Sequence, residues 1–134
     1  MERNRVAATD PWTYGGVDTL GVDLTRGLDL AGFAVEARDG GIGKVDEATY
    51  DASRSYIVVD TGPWIFGKKV LLPAGTVERV DLDSQTVFVD RKKDEIKNAP
   101  EFDEASYRDD AYRSRVGGYY YGETSGRRTD RDAF

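Results

Sequence analysis

Enzymes need side chains that exchange protons, attack as nucleophiles or hold metals, and this sequence has no histidine and no cysteine. Thiol nucleophiles, disulfides, zinc fingers and iron–sulfur clusters are therefore excluded. Histidine bases, Ser-His-Asp triads and His-ligated metals are excluded with them. Carboxylates remain. Asp46 and Glu47 are adjacent, but a general acid–base pair needs a cleft that separates its two pKa values. Neighbours on a strand point to opposite faces, so the pair reads as solvated charge. Asp81 and Asp83 share a face beside a turn and offer two oxygen ligands to a hard cation. The regular Asp/Asn spacing of a calcium loop is missing, so no metal is expected there. Gly40, Gly41 and Gly43 lack the Lys-Ser/Thr ending and following helix of a phosphate loop; turn chemistry accounts for them. The run Tyr119-Tyr120-Tyr121 either stacks on a ligand or pins the C-terminal segment to the body, and pinning is the favoured reading. The expectation is a protein with no catalytic site, no cofactor and no metal.

The other feature with recognition chemistry is Trp64-Ile65-Phe66, three large apolar residues between Gly62 and Gly67. They either plug the end of a barrel or present a patch to a partner, since aromatic residues are enriched in binding hot spots. Lys68 and Lys69 follow directly and suit the polar rim of an interface. Trp64, Ile65, Phe66, Lys68 and Lys69 form the candidate interaction surface.

These residues sit among short strands. Phe33, Val35 and Ala37 alternate with polar or small neighbours, the period of a half-buried strand. Asp39-Gly40-Gly41 reads as a hairpin turn, and Ile42 to Ala48 runs back, with Gly43 marking a bulge or tight bend. Tyr56 to Thr61 is a β-branched strand and Lys68 to Leu72 another, ended by Pro73. Ala74-Gly75 reads as a turn into Thr76 to Leu82. Asp83-Ser84-Gln85 turns the chain into Thr86 to Asp90. Six strands this close together, separated by Gly-rich turns, predict a mainly β fold: a small antiparallel barrel of about six strands. Closure would remove its exposed edges. Lys93 to Asn98 reads as a short helix whose charges match the helix dipole. Asp103 is placed to cap a second short helix carrying Tyr107, Ala111 and Tyr112, with Gly117-Gly118 beyond it.

The implied organisation is an N-terminal tail over residues 1–29, mostly irregular; a barrel domain over 30–98; and a C-terminal extension over 99–134 with a short helix and the tyrosine run. Ordering backbone costs about 1–2 kcal/mol per residue, and the first segment has no sustained apolar period to offset it, although Trp12 and Tyr14 can dock locally. A barrel near 70 residues buries only about 60% of its unfolded surface. Docked C-terminal helices, or association as a homodimer, would supplement it.

The net charge is −6, and residues 1–29, 30–98 and 99–134 each carry two more acidic than basic residues. No segment is a basic arm, so nucleic acid is not an expected partner. Met1 to Ala7 lacks the apolar stretch of a secretory signal. The longest aliphatic runs, Ile57-Val58-Val59 and Val70-Leu71-Leu72, fall far short of the roughly 20 residues that span a bilayer. A cytoplasmic protein without membrane insertion is expected.

The run Gly32-Phe33-Ala34-Val35-Glu36-Ala37-Arg38-Asp39-Gly40-Gly41-Ile42-Gly43-Lys44-Val45 resembles the opening of a PRC-barrel domain. Tyr56 to Asp60, Val70 to Gly75 and Val87 to Asp90 fall where such a domain places its later strands. Ile96 to Phe102 is similar to the ending of free-standing bacterial members. The resemblance covers roughly residues 28–102. The family is named for the cytoplasmic part of the photosynthetic reaction centre H subunit, and its barrel also forms the C-terminal half of a ribosome maturation factor. The resemblance implies a small barrel with roles in complex assembly and protein contact, and transfers no catalytic residue. The expected function is a non-enzymatic protein-interaction or assembly module. The alternatives are an accessory or regulatory subunit of a membrane-associated electron-transfer complex, and a ribosome-assembly-type factor.

Overall fold

The computed structural model describes residues 11–24, 28–50, 54–62 and 68–121. Six strands carry the fold: β1 Ala34–Ala37, β2 Gly40–Ala48, β3 Tyr56–Asp60, β4 Lys69–Pro73, β5 Val77–Asp81 and β6 Thr86–Val89. Among the described residues three helices accompany them: α1 Val17–Leu20, α2 Lys93–Lys97 and α3 Asp110–Tyr121. A single 3-10 turn, Ala74–Thr76, joins β4 to β5.

The six strands form one sheet in the order β4-β3-β2-β1-β6-β5. Two features correct the expectation of a closed antiparallel barrel. The sheet is mixed, because β1 and β6 pair in parallel, with Val35 opposite Val87. It is also not closed by hydrogen bonds, because β4 and β5 are its two edges. The cause is the Ala74–Thr76 connection. With β1 parallel to β6 and every other pair antiparallel, β4 and β5 run in the same sense. The stretch read as a reversing turn is a corner in one long bent strand.

That corner still brings the edges together. Laid flat, five strand spacings would separate β4 from β5 by about 24 Å, yet three residues of 3-10 turn advance only about 2 Å each. The sheet must curl, and covalent continuity at the corner holds its ends where a barrel would use a ladder. Residues near the N-terminus bind across this corner: Ser55 N–H donates to Trp12 C=O at 2.8 Å, and Gly75 N–H donates to Pro11 C=O at 2.8 Å.

The β1–β2 hairpin turns at Arg38–Asp39, with Ala37 opposite Gly40. Past the turn the register slips by one residue, so that Val35 faces Gly43 and Glu36 faces Gly41. Gly43 is the hinge of this bulge. Its φ is +143°, and a Cβ there would lie 2.0 Å from the Asp60 carbonyl oxygen, so only glycine fits.

The core contains Leu30, Val35, Ile42, Ile57, Leu72, Val87 and Ile96, and it reaches past the expected domain limits in both directions. Leu20 and Val22 belong to it, so the described part of the N-terminal segment is packed, against the expectation of a tail too poor in apolar residues to fold. Its irregular backbone is held by single anchors: Leu20 is fully buried, and α1 lies on β5.

On β3 every residue from Tyr56 to Val59 is buried, where a one-sided sheet would show alternation. Its second face is covered by the C-terminal segment. The Tyr107 ring meets Tyr56 edge-on at 6.1 Å and Phe102 at 4.7 Å, and Tyr112, Val116 and Tyr120 join the core. Helix α3 runs through Gly117-Gly118 to Tyr121, further than expected. Gly117 is needed there for close approach, since a Cβ would sit 3.2 Å from the Trp12 indole nitrogen.

Candidate functional site

Lys68, just before β4, and Lys69 and Val70 on it line one wall of a slot, and Ile96 of α2 with Ala99, Pro100 and Phe102 after it forms the opposite wall. The volume between them is about 530 Å³. The floor is aliphatic and aromatic; the rim is charged, with Lys97, Glu101 and Glu104 added to the two strand lysines. Lys68 Nζ donates to Glu101 Oε2 at 2.7 Å, joining the two walls. That hydrogen bond and charge hold the Glu101 carboxyl below its ordinary pKa. Lys69 Nζ reaches back across β3 to Asp46 Oδ2 at 3.1 Å, which raises its own pKa. Both pairs are exposed, so each contributes little to stability.

Of the five residues expected to form an interaction surface, Lys68 and Lys69 are therefore placed at one slot. Trp64, Ile65 and Phe66 lie outside the described residues. The two carboxylates of Asp46 and Glu47 diverge to different partners: Asp46 to Lys69, Glu47 to a cluster of aromatic and basic groups. Tyr107 Oη donates to Glu47 Oε1 at 2.8 Å; Tyr56 Oη and Arg108 Nη2 each approach Oε2 at 3.5 Å. Burial first, and the carboxylate second, push the Tyr107 phenol up to about 12. A phenol that stays protonated and a carboxylate that accepts its proton in a hydrogen bond make a clamp between β2 and the C-terminal segment. The sequence carried no local sign of this cluster, because Glu47 and Tyr107 are 60 residues apart.

The other candidates resolve structurally. Asp81 Oδ1 accepts from Asp83 N–H at 3.0 Å and Ser84 N–H at 3.4 Å, which makes it the cap of the β5–β6 turn. Among the described residues no group of three carboxylates, histidines or cysteines could hold a metal ion. Tyr120 is buried, and Tyr119 Oη donates to the Glu95 carbonyl at 2.6 Å, so this part of the run ties α3 to α2. Several basic side chains lie beside an acid: Arg38 and Arg91 beside Asp90, Arg108 beside Glu47, Arg113 beside Asp110. Among the described residues no helix is long and apolar enough to cross a membrane.

No protein-family model matches the chain, and no curated protein matches it. Among solved structures it is similar to a Pseudomonas aeruginosa chain assigned as the 16S ribosomal RNA processing protein RimM. The identity is 25% and the TM-score 0.42, over 48% of this chain and 42% of that one. The overlap is under half of either chain, and that score does not establish a common fold.

Proposed function

We propose that the chain is a non-enzymatic binding module of the PRC-barrel type, which engages a protein partner at the slot between β4 and Ala99–Phe102. The observation that supports this is the slot itself: an apolar floor within a charged rim, the composition of a small recognition surface. The proton-active groups point the same way. Glu47, Asp46 and Asp81 are each held by a structural partner: Tyr107, Lys69 and the backbone amides of the β5–β6 turn.

Affinity capture with the full chain and with a Lys68→Glu, Lys69→Glu double variant tests the reading. Both side chains are at least half-exposed or at a rim, so the variant should keep its melting temperature and lose its partner. A partner retained equally by both forms would remove this face from consideration. The same samples separate the alternatives. Co-sedimentation with ribosomal particles, abolished by the double substitution, would select a ribosome-assembly-type role, the one the name of the RimM-like chain suggests. Co-purification with a membrane electron-transfer complex would select the accessory-subunit role. Sedimentation of the free chain measures the proposed homodimer.

A further inference from the structure

Away from the slot, the N-terminal segment rests on a second surface, which later parts of the chain build. Pro11 and Trp12 offer it two consecutive carbonyls: Gly75 N–H donates to Pro11 C=O and Ser55 N–H donates to Trp12 C=O, both at 2.8 Å. The Trp12 indole lies on α3. Its nitrogen is 3.2 Å from where a Cβ of Gly117 would stand, and the Arg113 guanidinium is 5.8 Å from the ring. Tyr14 stacks on Tyr50 at 5.7 Å, and its Oη donates to the Tyr56 C=O at 3.3 Å. Main-chain donors, a gap for an indole, a cation and an aromatic platform are the parts with which a groove holds a peptide.

This surface does not depend on its occupant. Ser55 C=O accepts from Ala74 N–H at 3.0 Å, and Tyr56 is paired with Pro73 of β4. Arg113 is held by Asp110, and Tyr50 Oη accepts from Leu30 N–H at 3.0 Å. Each recognition group is thus set by a contact that residues 11–14 do not make, and groups set in advance bind at a lower entropic cost. The occupant itself is held more loosely. Trp12 and Tyr14 are partly buried, Leu20 is fully buried, and the exposed Gly15 and Gly16 lie between them. Gly16 C=O accepts from Leu20 N–H at 2.9 Å, which fixes the far side of this hinge. Glycine turns more freely about its backbone than any other residue, so residues 11–14 can leave while Leu20 and α1 stay on β5. An empty surface would strand the amide of Ser55, a residue only 2% exposed. Another main chain restores that bond.

We infer that residues 11–14 are a built-in ligand: they fill a peptide seat formed by Ser55, Gly75, Gly117 and Arg113, and a partner segment with the same proline–aromatic chemistry takes the seat in their place. The inference does not depend on the slot.

Two measurements on the full chain test it. In the parent, the Ser55 and Gly75 amides should exchange at least about tenfold faster than those of Val58 and Val59, at a rate indifferent to low urea, because release of the segment exposes them without unfolding. The second uses a Trp12→Ala, Tyr14→Ala variant and a capped peptide of residues 11–15, Pro-Trp-Thr-Tyr-Gly. At saturation the peptide should slow exchange at Ser55 and Gly75 in that variant by about tenfold or more. Its counterpart Pro-Ala-Thr-Ala-Gly should have no effect. Adding Gly117→Ala, which favours the helix itself and fills the gap for the indole, should weaken the peptide about tenfold. Concentration-dependent dimerisation of the parent, abolished by the two alanines, would make the partner a second copy of this chain. Exchange of Ser55 and Gly75 in step with Val58 and Val59 in the parent overturns the inference, and this measurement decides alone if the double variant does not fold. Equal effects of the two peptides, no effect at millimolar peptide, or undiminished binding to the Gly117→Ala form overturn it as well.

Discussion

Leu20 lies in a segment whose composition predicts a tail, yet it is fully buried against the core. Leu20→Ala removes most of an aliphatic side chain from a site with no solvent contact. Substitutions of this kind cost about 2–5 kcal/mol, the upper part when neighbours cannot collapse into the space. Collapse is restricted here, because α1 is only four residues long and is held against β5 on one side. A loss of about 3 kcal/mol is a large share of the roughly 5–15 kcal/mol that a domain of this kind has in total. It should lower the melting temperature by about 10 °C. The assay is urea unfolding of Leu20→Ala beside Thr19→Ala, an exposed position on the same helix. Thr19→Ala should stay within about 0.5 kcal/mol of the parent. Both should keep the parent's dependence on denaturant, so that the whole difference appears in the midpoint. If the N-terminal segment opened as a separate unit, the cost would stop at its local opening free energy and the main transition would not move. An unchanged main midpoint for Leu20→Ala would refute the claim that this segment belongs to the core.

Gly43→Ala should abolish stable folding at ordinary temperature: the new Cβ would overlap the Asp60 carbonyl at 2.0 Å, and circular dichroism of the purified variant reads this directly. Tyr120→Phe should raise stability by about 1 kcal/mol, because the Tyr120 hydroxyl is buried with no hydrogen-bond partner among the described residues and its desolvation is uncompensated; a destabilised variant would reveal a partner for that hydroxyl. The Tyr107 and Tyr112 phenols are both pushed up to about 12, chiefly by burial. A raised folded-state pKa favours the protonated form, so this stabilisation is complete below the unfolded value near 10 and is lost as pH climbs from about 10 to 12. A Tyr107→Phe, Tyr112→Phe variant should show a flatter decline of melting temperature across that alkaline window.

The strands were legible because each is a local pattern. Tyr56 to Asp60 is rich in β-branched residues, Val70-Leu71-Leu72 stops at a proline, and Gly43 marks a bulge in the run from Ile42 to Ala48. Their order was not, because it depends on one corner. Ala74-Gly75 has the composition of a reversing turn, and in isolation would form one. In the fold, Thr76 closes a 3-10 turn onto the Pro73 carbonyl, and the chain leaves in the direction it entered. From that single difference follow the parallel β1–β6 pair and the two unpaired edges. The extent of α3 was hidden for a comparable reason. Gly117-Gly118 looks like a helix stop, and only the Trp12 ring, about a hundred residues away in sequence, explains why a residue without a Cβ is wanted inside the helix.

The same corner explains why a recognition slot exists at all. A sheet closed by a complete ladder would have paired β4 with β5, whereas here the two strands remain its edges. An open flat sheet would have exposed that edge along its whole length and invited indiscriminate pairing. Here the Ala99–Phe102 segment faces the start of β4 across the slot, and Leu71 and Leu72 beyond it are buried. The Lys68–Glu101 ion pair bridges the two walls at the rim. Exposed pairs of this kind cost about 1 kcal/mol or less to break, so a protein partner docking at the slot can displace it at small expense.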